Sequence, residues 1–216
     1  MYLPQPLKIS HLTWVAKGAQ RLVILHPNRP DLILKLPYVG ELNGRLMRNA
    51  TVPEKATNRH ALRERNLYIR LGPAFTYSIN HAPIPRYYGP VVTDLGIADA
   101  YEGIFNKDLK KLGMTFGQLI KRNLMSEDVL SDLNEFVVRL DRSDIPATDI
   151  NASNIVYGYR KGTLVFVLVD GFGDYRSIPL ESWFRRIRRR RTSNAYSRIA
   201  KRFDLVWNDQ IRQFRA

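Results

Sequence analysis

The chain has 216 residues, 44% hydrophobic and 11% aromatic, enough to bury a full core as one large domain or two small lobes, which excludes a disordered chain. With no cysteine and only four scattered histidines, a disulfide framework, a thiol nucleophile and a thiolate zinc site are excluded, so any metal must sit on oxygen ligands. The formal charge of +14 is regional: from Arg176 to Ala216 there are twelve Arg or Lys against Glu181, Asp204 and Asp209, so nine of the net charges lie in the last 41 residues.

In chain order, HLTWVAKGAQRLVILHP has short β-prone pieces around Gly18, HPNRPD is a turn, and LILKLPYV is another strand in which Lys35 interrupts the apolar residues. KATNRHALRERNLYIRLG reads as a helix, with Ala61, Leu62, Leu67, Tyr68 and Leu71 on or near one face, Glu64 in its middle and Gly72 ending it. IPRYYGPVVTDLGIADAYEGI gives two more strands joined by a turn at TDLG, completing an antiparallel sheet with a single helix laid against it. A short connection at 101–105, without a flexible tether or an internal repeat, divides a lobe of residues 1–104 from one of residues 105–216. From about Met114 the pattern is helical: TFGQLIKRNL is followed by SEDVLSDLNEFVVRLDRSD, with Ser126 as N-cap and Glu127 and Asp128 near the positive end of the helix dipole. A compact unit, ATDINASNIVYGYRKGTLVFVLVDGFGD, then places polar residues around a hairpin. Near the carboxyl end, Tyr196, Ile199, Phe203 and Trp207 recur at helical spacing as a core-facing stripe.

A β-rich lobe with one helix, followed by a helical lobe that contains a hairpin, is the α+β layout of the protein-kinase-like fold. DINASN, with Asp149 five residues before Asn154, resembles the kinase catalytic loop, in which the aspartate receives the acceptor hydroxyl's proton and the asparagine holds magnesium. Asp170, sixteen residues beyond Asn154, stands where the second metal-binding aspartate is expected. Lys35 resembles the strand lysine that grips the α- and β-phosphates of ATP, Glu64 the helix glutamate that orients it, and Gly18 the remnant of the glycine-rich phosphate loop. Glu102, in the connection between the lobes, joins the nucleotide-binding candidates. Taken singly, Lys35 is an ordinary strand-edge lysine, Glu64 a solvent-facing helix residue and DGFGD a turn. The functional reading rests on their order along the chain.

IPRYYGPVVTDLGIADAYEGI, SNIV and VDGFGDYRSIPLESW resemble the YrbL family, bacterial kinase-like proteins linked to the PhoP regulatory network. AKGAQRLVILHPNRPDLILKL is similar to the same family in its glycine, basic residue, apolar strand, His-Pro and strand ending in lysine, so the resemblance covers most of the chain and implies a kinase-like architecture. Three features depart from active protein kinases: Ala147 replaces the histidine two residues before the aspartate, the phosphate loop has one glycine, and GFG follows Asp170. After Asp174, YRSIPLESW leaves no space for a long activation segment, which shifts the expected acceptor from protein to a sugar or lipid hydroxyl of the cell envelope.

The arginines Arg185, Arg186, Arg188, Arg189, Arg190 and Arg191 are either a solvated helical face or a site for an anionic partner, such as a membrane surface or a lipopolysaccharide-type acceptor. Nucleic acid ranks last, since no aromatic residues interleave with the basic ones as a stacking platform. No apolar run approaches the roughly 20 residues that cross a bilayer, and MYLPQPLKISHL lacks the pattern of a secretion signal. The expected place is the cytoplasm, peripherally at the inner membrane. Two functions are expected: an ATP- and magnesium-dependent phosphotransferase, or a pseudokinase that regulates by binding without turnover. Retention of Asp149 favours the first and the single-glycine loop the second.

Overall fold

The computed structural model describes residues 5–18, 21–37, 39–42, 45–48, 54–77, 82–107, 111–173 and 184–215. Chain contacts divide it into one unit of Met1–Arg65 and Arg86–Gly103 and another of Asn66–Pro85 and Ile104–Ala216.

In the first unit, alternation of side chains along extended backbone sets the layout. The strands are β1 (Trp14–Lys17), β2 (Arg21–Leu25), β3 (Leu32–Pro37), β4 (Val39–Leu42), β5 (Arg45–Arg48), β6 (Tyr87–Thr93) and β7 (Gly96–Glu102). Five of them form an antiparallel sheet in the order β1-β2-β3-β7-β6, while β4 and β5 pair as a separate hairpin. The register puts Val23 opposite Lys35 and Lys35 opposite Asp99, with Ile33 opposite Tyr101 one row away. Because side chains alternate with period two, one face of the sheet carries Leu22, Ile24, Leu34, Leu36, Ala98 and Ala100, which pack with Ile9 and Leu46 into an apolar core. Burying each such Leu or Ile stabilises by about 2 kcal/mol. The opposite face presents Arg21, Lys35, Asp99 and Tyr101, all buried. Asp94, in the turn between β6 and β7, accepts hydrogen bonds from the Ile9 amide (2.9 Å) and the Ser10 amide (3.3 Å). Partial burial pushes its carboxyl up, but these hydrogen bonds outweigh burial and hold it below the usual carboxylate range.

The helical span α1 (Glu54–Tyr77) is broken at Gly72, the position where the sequence predicts an end. Gly72 has φ 68 and ψ −179, so it interrupts the helix, and helical structure resumes beyond it. The division between the units falls within this helix, after Arg65.

The second unit contains α2 (Phe116–Lys121), α3 (Glu127–Arg142), α4 (Arg185–Arg202) and the strands β8 (Met114–Thr115), β9 (Ile155–Arg160), β10 (Thr163–Leu168), β11 (Val206–Asn208) and β12 (Gln213–Arg215). A capping box starts α2: the Thr115 hydroxyl accepts from the Gln118 amide, and the Gln118 side-chain oxygen accepts from the Thr115 amide. Ser126 caps α3 by accepting from the Val129 amide, with Glu127 and Asp128 in its first turn as the sequence predicts. Strands β10, β9 and β8 form a sheet in that order, built on the β9–β10 hairpin. Its core is aromatic, with Phe116, Phe136, Phe166, Phe172, Tyr196 and Phe214 all buried. Residues 66–85, on the amino-terminal side of the expected division at 104, group with this unit. The reason is local bonding: the Tyr68 hydroxyl donates to Pro85 O (2.6 Å), and the buried Arg160 guanidinium donates to Ala82 O (2.6 Å) and Ile84 O (2.9 Å).

The carboxyl end differs from the continuous stripe predicted. Tyr196 and Ile199 are buried on α4, but the helix stops at Arg202, Phe203 is its C-cap, and Trp207 lies on β11. Trp207 still reaches the same core, with its ring centroid 4.8 Å from Tyr196 and 5.0 Å from Phe214. Arg212 locks this end by pairing through two nitrogens with Asp141 on α3 while donating to Thr192 on α4 (2.8 Å). Among the described residues, no helix is long and apolar enough to cross a membrane.

Candidate functional site

The predicted residues lie in two groups, one in each unit. In the first unit, β2, β3, β7 and α1 bring Arg21, Lys35, Tyr101 and Glu64 together. Strand alternation aims the first three side chains from the same face of the sheet, and Glu64 comes from the middle of α1. Lys35 is 4% exposed and Glu64 only 1%, so neither is the surface residue that its identity alone suggests. Lys35 Nζ stands 3.7 Å from Glu64 Oε2 and 4.4 Å from the centroid of the Tyr101 ring. Glu64 has two shorter contacts that the sequence does not announce. The Arg21 guanidinium binds it through both nitrogens, Nη2 to Oε1 at 2.6 Å and Nη1 to Oε2 at 3.0 Å, and the Tyr101 hydroxyl donates to Oε2 at 2.6 Å. Beside this group, Arg65 Nε (2.7 Å) and the Tyr87 hydroxyl (2.8 Å) both donate to Asp99 Oδ1. Burial, reinforced by Asp99, raises the Tyr87 phenol above its ordinary value, so it stays protonated as a donor.

Gly18 closes the β1–β2 connection by donating its amide to Arg21 O (2.9 Å), and the two residues after it, 19 and 20, lie outside the described residues. Glu102 pairs with Leu32 across β7 and β3, and its carboxylate accepts from the Arg86 amide (3.1 Å).

In the second unit, the loop before β9 and the turn after β10 are stitched together. The amides of Thr148 and Asp149 both donate to Gly171 O at 2.9 Å, Gly173 donates to Pro146 O at 2.8 Å, and Ala147 bridges Phe172. The Thr148 hydroxyl bonds the same strip, reaching Gly171 O (3.3 Å) and Gly173 O (3.2 Å). Within the loop, Asn151 Oδ1 accepts from the Ser153 and Asn154 amides, both at 3.0 Å, forming an Asx turn that bends the chain into β9. Asn154 Nδ2 then donates back to Asp149 O (3.0 Å) and Asp149 Oδ2 (3.3 Å). Asp170 Oδ1 accepts the Gly171 amide at 2.7 Å. Gly171 has φ +80, and a Cβ there would fall 2.4 Å from Asp149 O and 2.9 Å from Asp149 Cβ. The glycine after Asp170 is therefore what allows the turn to approach the loop. Ala147 and Phe172 show how two departures from the kinase pattern are absorbed. Both are buried, and Phe172 packs edge-on against Tyr68 at 6.0 Å.

Among the described residues, no group of three or more His, Asp or Glu side chains gathers as a ready-made metal centre. Asn154 and Asp170 offer one amide and one carboxylate oxygen, hard donors that suit Mg²⁺ when phosphate oxygens and water complete its octahedron. The segment from Asp174 through YRSIPLESW, on which the expected lack of a long activation segment rests, lies outside the described residues.

The arginine run is not uniform. Arg188 is buried and pairs with Asp144 at 2.9 Å, so it fixes α4 to the α3 side of the unit, and Arg191 is half-buried. Arg185, Arg186, Arg189 and Arg190 are exposed, and beside them Phe184 and Ile187 are 52% and 42% exposed.

Among solved structures, the chain is similar to the Rio2 kinase from Chaetomium thermophilum in an ADP/Mg²⁺-phosphoaspartate complex, at 14% identity and a TM-score of 0.42. That match covers 88% of this chain and 57% of the Rio2 chain. No curated protein matches. The family described as PhoP regulatory network protein YrbL matches residues 7–204, so the chain belongs to the YrbL family.

Proposed function

We propose that the protein is an ATP- and magnesium-dependent phosphotransferase of kinase-like fold, whose acceptor is a sugar or lipid hydroxyl. The observation that carries this reading is the pair of hydrogen bonds that the Thr148 and Asp149 amides donate to Gly171 O, which ties the loop bearing Asp149 and Asn154 to the turn bearing Asp170. Asp149, Asn154 and Asp170 are oxygen-bearing side chains carried by that bonded frame, a set that suits phosphoryl transfer. That reaction depends on positioning and charge stabilisation more than on covalent help from the protein.

In this mechanism the acceptor oxygen forms a bond to the γ-phosphorus as the bond to the β-phosphate oxygen breaks, ADP carries away the broken bond's electron pair, and Asp149 takes the acceptor's proton. Asn154 donates to Asp149 Oδ2, which fixes the carboxylate that must meet the hydroxyl. Asn154 and Asp170 would hold magnesium, which when bound would neutralise the phosphate charge. Lys35 contacts the α- and β-phosphates, and Gly18 and Glu102 belong to the nucleotide surroundings. Burial of Arg21, Lys35, Glu64 and Asp99 at the sheet face supports this role. Desolvating such groups costs several kcal/mol each before pairing, so stability alone is a weak reason to keep them. The absence of a long segment in YRSIPLESW supports a small or lipid acceptor over a peptide. The exposed arginines of α4, next to exposed Phe184 and Ile187, support recruitment to an anionic lipid surface, with apolar side chains entering the interface and guanidinium groups meeting phosphates.

The single-glycine loop favours a second reading, a pseudokinase that binds nucleotide and signals without turnover, since fewer backbone amides then cradle the phosphates. Asp149→Asn separates the two. With nucleotide binding retained, loss of ATP-dependent phosphate release or transfer in this variant supports the enzyme, and equal activity in variant and parent removes Asp149 from the chemistry.

A further inference from the structure

We propose that Asn151 is a positioning residue for a divalent cation: it turns the loop so that Asn154 spends its amide nitrogen on Asp149 and keeps its amide oxygen for the ion. The inference deepens the phosphotransferase reading and rests on it for the ion's identity, magnesium.

Asn154 is held at three points, all within the second unit. Its backbone amide donates to Asn151 Oδ1 (3.0 Å) and Asn151 O (3.1 Å), its carbonyl accepts the Val169 amide (2.8 Å), and its Nδ2 donates to Asp149 O (3.0 Å) and Asp149 Oδ2 (3.3 Å). The Val169 bond fixes the Asn154 backbone beside the residue that precedes Asp170. With Nδ2 engaged, the amide oxygen is the group left over, and among the described residues nothing donates to Asn154 Oδ1. Such an oxygen is the donor that a hard cation takes from an asparagine. The first of the three points depends on the Asn151 side chain. Three donors converge on its Oδ1: the Ser153 amide (3.0 Å), the Ser153 hydroxyl (2.5 Å) and the Asn154 amide. Only a short side chain with an acceptor oxygen reaches amides two and three residues ahead, so an alanine there leaves the turn without its fastening. Between them, Ala152 is 8% exposed, and its carbonyl accepts the Gly117 amide of α2 (3.0 Å), so the turn is also pinned to that helix. Asn151 acts on the ion through Asn154.

The test has one arm without ligand and one with it. In NMR of the full chain, the Asn154 side-chain amide is expected to exchange its protons about tenfold faster in Asn151→Ala than in the parent, because the bonds to Asp149 loosen once the turn is unfastened. Asn151→Asp keeps an acceptor oxygen at the same reach and is expected to restore the parental rate, while Asn151→Ser, whose hydroxyl makes the turn more weakly, is expected to fall between them. That order is readable from the Asp and Ser variants even where Asn151→Ala does not fold. Equal exchange in the parent, Asp and Ser proteins overturns the assignment. In calorimetric titration with ATP, with and without Mg²⁺, Asn151→Ala is expected to cut the Mg²⁺-dependent gain in affinity about tenfold while ATP alone binds at parental strength. On an Asn154→Ala background the same substitution is expected to take away nothing further, whereas a residue that only supports the fold would add its own loss. Additive losses, or an undiminished gain in Asn151→Ala, overturn the positioning role. If the parent gains no affinity from Mg²⁺, the magnesium reading falls and the ion's part of the proposal with it, while the exchange rates decide separately whether Asn151 sets Asn154.

Discussion

At the scale of single residues, two glycines at similar backbone angles separate conformational strain from close approach. Gly162, at the tip of the β9–β10 hairpin, has φ +84 and open space around it, whereas Gly171 has φ +80 and faces the Asp149 backbone. Alanine at either position incurs the left-handed penalty of about 1 kcal/mol. At 171 the new methyl must also displace the backbone of Asp149, for a total of at least about 2 kcal/mol and a disturbed loop. Gly171→Ala is therefore expected to lower stability in urea unfolding more than Gly162→Ala and to impair nucleotide turnover. Equal losses would mean that the turn does not need its approach to Asp149. The candidate residues divide in the same way by legibility. Asp149 and Asn154 are readable from sequence because their relation is local, five positions apart in one loop. Arg21 is not, because its bond to Glu64 spans 43 positions and depends on the pairing of β2 with β3 and on where α1 lies. A basic residue heading an otherwise apolar strand, RLVIL, was the available hint.

At the scale of elements, periodicity and capping chemistry gave most of the strands and α3, since Ser126 and the acidic first turn are local signals. The β4–β5 hairpin was missed although VGEL and RLMR flank Asn43-Gly44, a dipeptide that favours a tight hairpin turn. Gly72 is legible as a terminator because glycine commonly ends helices, and its positive φ does break the helical span, with a second helical piece beyond it. For α4, helical spacing alone could not reveal which arginines face the interior. Arg188 is held by Asp144 from the end of α3, a tertiary contact 44 positions away. This split makes a prediction at the level of the helix. Reversing Arg185, Arg186, Arg189 and Arg190 to glutamate is expected to abolish co-sedimentation with vesicles containing anionic phospholipid, and binding by the parent should fall as salt rises. Equal sedimentation of parent and variant, or none by the parent, returns these arginines to a solvated face.

At the scale of the whole molecule, the chain resolves into two units with different logic. One is a sheet whose apolar face forms a core and whose polar face carries a buried network of charges. The other is an aromatic core that supports a bonded loop and turn. Residues 66–85 group with the second unit through contacts that no local pattern announces, Arg160 reaching the carbonyls of Ala82 and Ile84. Family membership follows from a match over residues 7–204, and the proposed reaction rests on the bonded loop and turn that carry Asp149, Asn154 and Asp170. The most direct measurement is calorimetric titration of the full chain with ATP, with and without Mg²⁺, alongside Asp170→Asn. The account predicts saturable binding that strengthens with Mg²⁺ and loses that Mg²⁺ dependence in the variant. The absence of heat and of thermal stabilisation at millimolar Mg·ATP, or the same Mg²⁺ dependence in Asp170→Asn, would contradict it.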